Sequence, residues 1–393
     1  MLNDRPIIFL AIGQTLVWAG LYYVFPALLV RWEESLGWSR ADLTAAITLA
    51  IFVSAFVAPL AGSMIDAGRG TLMMVGSTLL GAICLLALSF VTGLREFYLI
   101  WALIGVTMAG CLYEPCFALI THARGANARQ AIILVTLVAG FASTISFPSA
   151  HALTEAYGWR VAVQIFAGVL ILVAAPLMWL GARAVEQSGH VSRARIEAVP
   201  DQHKTFLMRP VFWVLALAFS CLGLAHGVII HHFLPILYDR WISAEVAVVA
   251  VSFVGPMQVA GRLAMMAGER HVTLHGITIS VFVALATSIL LLAATASTPT
   301  LVVAFVILFG AGYGIVSIIR PLIARDILGE NKIGAKLGAM SLLYLVGTAS
   351  APFLGSLIWG VGGYNLVLPV LIGSVLVGLS LYLVAHRLSH KQL

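Results

Sequence analysis

The chain has 393 residues, of which 61% are hydrophobic and 10% charged, and its mean hydropathy is +1.03. No water-soluble core hides that much apolar surface, so a soluble globular domain is excluded. The net charge of +6 would suggest nucleic acid or another acidic partner in a soluble protein, but here the placement of the charges carries the meaning, and no nucleic-acid partner is expected.

A helix needs about 20 mainly apolar residues to cross a bilayer. Apolar runs broken by charged and turn residues predict spans at 7–30, 42–65, 71–93, 96–121, 130–152 and 159–182. After a polar stretch come 210–237, 244–267, 273–296, 299–324, 334–360 and 364–386. Met1 to Gln14 resembles a signal peptide, but no small-residue cleavage site follows and the run continues to Val30, so it reads as the first helix. The fold class predicted is an all-α membrane protein of twelve transmembrane helices.

Lysine and arginine set the orientation. With both termini in the cytosol, Arg5, Arg69, Arg124, Arg183, Arg325 and Arg387 fall inside, and Arg31, Arg40, Arg95, Arg160 and Arg240 outside. Over all such residues the bias is roughly three to one, in accord with the positive-inside rule. Arg183 to Arg209 is rich in Arg, His, Glu and Ser, and reads as a cytosolic tether. The domains expected are therefore 1–182, a linker at 183–209, and 210–393.

The two halves echo one another. Phe25-Pro26-Ala27-Leu28-Leu29-Val30-Arg31-Trp32 matches Leu234-Pro235-Ile236-Leu237-Tyr238-Asp239-Arg240-Trp241 as PxLxxRW. Ala61-Gly62 recurs as Ala260-Gly261, Glu114-Pro115 falls opposite Arg320-Pro321, and Ser146-Phe147-Pro148 matches Ser350-Ala351-Pro352. Two parallel six-helix halves usually build a carrier whose halves rock about a midplane site. Duplicated bundles can also be channels or passive scaffolds.

Between the second and third spans stands Gly62-Ser63-Met64-Ile65-Asp66-Ala67-Gly68-Arg69-Gly70. This resembles the GxLaDrxGrk signature of the major facilitator superfamily, and with the six-loop-six layout the resemblance covers essentially the whole chain. It implies two pseudo-symmetric bundles around a central cavity, and a cytosolic gate motif carried here by Gly62, Asp66, Gly68 and Arg69. On the residues themselves, Gly62 would permit close helix approach, Asp66 would accept hydrogen bonds at the next helix N-terminus, and Gly68 would allow a tight turn. In the second-half copy Met265 stands where the Asp would be. The segments FPALLVRWEESLGWSRADLTAA and APLAGSMIDAGRG look like the bacterial branch related to monocarboxylate and oxalate/formate carriers.

Ionisable groups at membrane depth are costly and so are candidates for function. Glu114 and Arg320 are expected to pair across the halves and to part on protonation or anion binding; a permanent ion pair, or Arg320 snorkelling to the interface, is the alternative. Arg262 is the other intramembrane charge considered. Among His226, His231 and His232, the last two align with Tyr22 and Tyr23 near the outer rim and read as interface anchors, leaving His226 for the cavity. Gln14, Trp18, Tyr22, Tyr113, Gln258 and Tyr313 are candidates to shape a mostly apolar pocket, though core packing explains each singly. The cysteines Cys84, Cys111, Cys116 and Cys221 lie in apolar runs and read as packing residues.

The expectation is thus a secondary transporter and not an enzyme, since the three histidines are too few for a membrane metal enzyme. It would use alternating access coupled to protons to move a small organic solute such as a carboxylate anion; proton-coupled export of a drug, metabolite or toxic oxyanion is the runner-up. No cofactor and no metal are expected. Its partners are the solute, protons and the lipid bilayer, its unit a monomer, and its place a bacterial inner membrane.

Overall fold

The computed structural model describes residues 4–124, 128–188, 207–268, 272–329 and 333–390. Eleven stretches among them are apolar and long enough to span a bilayer. The last of these runs from Ala339 to Ser389, 51 residues, or about 77 Å at 1.5 Å per residue, which is more than twice a bilayer's hydrocarbon. It turns at Gly362 and Gly363, where φ at Gly363 is +63°, so it holds two crossings. Twelve helices result: α1 (Arg5–Leu36), α2 (Arg40–Asp66), α3 (Gly70–Leu88), α4 (Leu94–Arg124), α5 (Gln130–Tyr157), α6 (Trp159–Ser188), α7 (Pro210–Asp239), α8 (Ala244–Gly268), α9 (Leu274–Ala294), α10 (Leu301–Leu328), α11 (333–361) and α12 (364–390).

The chain divides into two compact units, Met1–Ala194 and Arg195–Leu393. Most of the expected linker lies outside the described residues, and α6 continues through Ser188, past the boundary expected at 182.

In unit 1, α1 packs on α5 and α6, and α2 on α4. The contacts are backbone-close: Ser146 Oγ of α5 donates to Ala19 O of α1 at 2.9 Å. A Cβ on Gly105 of α4 would stand 2.3 Å from Ala50 O of α2. Phe25, Trp32, Phe97 and Trp101 are fully buried as one aromatic cluster, at the end of the unit where Arg40 pairs with Glu33 at 2.7 Å.

Unit 2 repeats the pairing of second with fourth helix. A Cβ on Gly314 of α10 would lie 2.1 Å from Gln258 O of α8. Here α7 lies against α11, with Ser220 Oγ donating to Leu343 O at 2.9 Å. The repeated PxLxxRW pattern departs at its last residue: Trp32 is wholly buried, whereas Trp241 is 95% exposed with φ +57°.

Candidate functional site

In unit 1 the candidate residues gather where α1 and α4 are both irregular. Residue 115 is a proline and has no N–H to give the carbonyl of Cys111 four residues earlier. α4 accordingly breaks at Leu112, which is extended (φ −80°, ψ −158°). Gln14 of α1 fills the gap: its Nε2 donates to Cys111 O at 2.8 Å and Leu112 O at 3.3 Å. One turn on, Trp18 to Tyr23 form a π-helical segment, an arrangement common at functional sites. Trp18 packs on Tyr113 at 4.7 Å and meets Tyr22 edge-on at 5.1 Å, and Tyr113 stacks on Phe117 at 5.0 Å. Glu114, next to Tyr113, is exposed. Gln14 Oε1 and Trp18 Nε1 are buried and have no hydrogen-bond partner among the described residues.

Unit 2 builds its own array from the first and fourth helices. His226 of α7 lies face to face on Tyr313 of α10, with centroids 3.2 Å apart and planes 1° from parallel. Tyr313 shares a hydrogen bond with Tyr344 of α11. The Arg320 guanidinium lies over the Tyr344 ring, 4.3 Å from its centroid, so one continuous array joins His226 to Arg320. His226 Nδ1 is buried without a hydrogen-bond partner among the described residues. Arg262 of α8 donates from Nε to Gly314 O at 3.2 Å, and Gln258 is half-buried one turn before it. No carboxylate of its own unit pairs with Arg262 or Arg320 among the described residues. The first helix of each half therefore rests a ring on a tyrosine of the fourth: Trp18 on Tyr113, and His226 on Tyr313.

The gate loop differs in two respects from its expected chemistry. Gly68 has φ +70°, the left-handed turn that favours glycine. The N-terminus of α3, however, is held by Glu186 of α6, which accepts from Gly70 N at 2.9 Å and from Thr71 Oγ1, while Asp66 and Arg69 are exposed. Gly62 has nothing within 4 Å of where a Cβ would stand, so the close helix approach expected there is made instead at Gly105. Beside this loop Arg124, ending α4, pairs with Asp4 ahead of α1. The hydrogen bond from that guanidinium, and its charge, hold the Asp4 carboxyl below the usual aspartate value.

The profile of the Major Facilitator Superfamily matches residues 10–352. The chain belongs to the major facilitator superfamily. It is therefore a transporter and not an enzyme, a multi-pass membrane protein embedded in lipid. Among solved structures it is similar to a bacterial homolog of the human lysosomal transporter Spinster, in an inward-facing and unoccupied conformation, with 15% identity, 98% of this chain and 97% of that one covered, and a TM-score of 0.72. It is also similar to the nucleoside transporter NupG, at 15% identity, with 97% and 99% covered and a TM-score of 0.71. Likeness at this identity is one of fold. No curated protein matches the sequence significantly.

Within this superfamily member a further sequence expectation is corrected. His231 and His232 are 0% exposed and are not interface anchors. His231 Nδ1 bonds Gly227 O at 2.8 Å, and His232 joins Tyr364 Oη at 3.0 Å and Pro352 O at 2.9 Å; α7 is thereby fastened to α11 and α12 by groups whose polarity suggested the rim. Sequence reasoning also passed over Tyr344 and Glu186. The spacing of Pro115 from Cys111 carried a signal for the role of Gln14, but nothing in the sequence around Tyr344 or Glu186 marks their partners, which lie on other helices.

Proposed function

We propose that this superfamily member is a proton-coupled secondary carrier of a small organic carboxylate, working by alternating access in a bacterial inner membrane with both termini cytosolic. The observation that carries the reading is Arg320, a permanent cation at membrane depth that is braced by Tyr344 and has no carboxylate partner in its own unit among the described residues. A charge at membrane depth without a counter-ion is costly, and a carboxylate substrate supplies one. Glu114 is the acid that takes the proton, and Arg262 adds positive charge on α8. His226 belongs to the same array and stands as a second proton acceptor. Trp18, Tyr22, Tyr113, Tyr313, Gln14 and Gln258 shape the apolar walls, and Gly62, Asp66, Gly68 and Arg69 form the cytosolic gate. The monocarboxylate and oxalate/formate branch is the part of the superfamily whose sequences this reading follows.

The test is a proteoliposome screen of radiolabelled carboxylates and cationic drugs under an imposed pH gradient. Carboxylate accumulation against a gradient, abolished in Arg320→Gln and made insensitive to pH in Glu114→Gln, is the expected result. Uphill transport that keeps its rate and pH dependence in Glu114→Gln would remove that residue from the coupling. Proton-driven movement of cations with none of carboxylates would replace the substrate class by that of an exporter.

A further inference from the structure

A second polar cluster lies at the end of unit 2 where α9 begins and α10 and α12 finish. His275, in the first turn of α9, has Nε2 3.2 Å from Asp326 Oδ2 of α10, with the histidine side chain 26% and the aspartate 53% exposed. Its Nδ1 is hydrogen-bonded to Tyr382 Oη of α12. His386, one turn beyond Tyr382, places its ring centroid 3.6 Å from that of His275 at 42°. Tyr382 is wholly buried and stacks on Phe282 of α9 at 5.9 Å, so the polar groups stand on a rigid aromatic floor.

Asp326 stands at ion-pair distance from Nε2 of His275, and in the neutral tautomer that carries its hydrogen on Nε2 the Nδ1 accepts from the Tyr382 hydroxyl. A proton added at Nδ1 makes both nitrogens donors: the contact with Asp326 becomes charge-assisted, and Tyr382 must accept on its oxygen and turn its own hydrogen elsewhere. Thr278 is within hydrogen-bonding reach of Tyr382 and spends its own hydrogen on Leu274 O at 2.8 Å, which leaves its oxygen to receive that of Tyr382. A second proton on His386 would set two cations ring against ring, which like-charge repulsion opposes.

We propose that His275 and His386 form a one-proton site, separate from the His226–Arg320 array, that ties the ends of α9, α10 and α12 together when loaded. The charge that faces the pair among the described residues is Asp326; Arg325 and Arg387, both exposed, are sequence neighbours of the cluster on α10 and α12, and Glu269 and Arg270, just before α9, lie outside the described residues. The tied state is the protonated one. The contact with Asp326 is an ion pair only in that state, so the stabilisation it adds belongs to the acid side.

The test needs no substrate. The full-length protein in lipid nanodiscs is melted across pH 5.5 to 8 as wild type, Asp326→Asn, His275→Gln and His386→Gln, and the ring ¹³C shifts of labelled histidine are followed over the same range. Between pH 5.5 and 8 the wild-type Tm should fall by about 2 °C more than that of Asp326→Asn, and the His275 ring signal should move. His386→Gln should keep the acid-side stabilisation, and His275→Gln should lose it. Parallel pH dependence in wild type and Asp326→Asn, or a His275 signal that stays fixed, overturns the proposal. Asp326→Asn, at a half-exposed carboxylate, carries the test should His275→Gln fail to fold.

Discussion

Gln14 shows how one proline sets the role of a residue about a hundred positions away. Pro115 strips the Cys111 carbonyl of its helical donor, and the Gln14 amide replaces that donor from α1. In a membrane such a carbonyl has no water to turn to, so Gln14→Leu should lower stability by about 1 kcal/mol in chemical denaturation. The diagnostic comparison is with Pro115→Ala, which returns an N–H at position 115. If the compensation is as described, Gln14→Leu should cost less in the Pro115→Ala background than in wild type, and equal costs in both would refute it. His231 and His232 illustrate the converse. Their sequence position suggested the rim, but their ring nitrogens meet carbonyl and hydroxyl groups inside unit 2, and histidine suits either setting.

At the scale of helices, the glycines in the two halves do different work from the one singled out by motif. Gly314 lets α10 meet α8 so closely that a Cβ would stand 2.1 Å from the Gln258 carbonyl oxygen, and backbone cannot move aside as a side chain end can. Gly314→Ala should therefore push α8 and α10 apart and cost about 2 kcal/mol or more. Gly62→Ala meets open space and should leave stability unchanged or raise it by up to about 1 kcal/mol through helix propensity. Thermal unfolding of the two purified variants separates these outcomes, and a Gly62→Ala loss as large as that of Gly314→Ala would show that the motif glycine is packed after all. In unit 1, α1 and α4 depart from regular helix, and the π segment of α1 and the break of α4 bring Trp18 onto Tyr113.

For the molecule as a whole, pH acts through few groups outside the membrane. Asp4 is held below the usual aspartate range by Arg124, and a carboxyl with a depressed folded value contributes stability that is present above its unfolded value and lost as pH falls through the folded one. Asp4→Asn should accordingly lower the Tm by a constant amount of about 1–3 °C between pH 5 and 8, since the pair is partly exposed and of surface strength. The offset should close only in strong acid. A Tm difference that changed between pH 5 and 8 would assign the effect to another group.

The hydropathy pattern, the lysine and arginine asymmetry and the PxLxxRW echo made membrane insertion, twelve crossings and an internal repeat legible, because each depends on composition over some twenty residues and not on any single contact. Even the turn between α11 and α12 was written in Gly362 and Gly363. Of the candidate residues, Trp18, Tyr113, His226 and Tyr313 were nameable from polarity and depth, but that they form two matched ring pairs was not. The replacement of Asp66 by Glu186 at the α3 N-terminus, the bracing of Arg320 by Tyr344 and the burial of His231 and His232 were decided by which helix lies beside which. Sequence by itself determined how many helices cross and which faces repel water; tertiary structure decided which polar atoms meet, because a hydrogen bond between helices depends on distances of a few tenths of an ångström that no periodicity records.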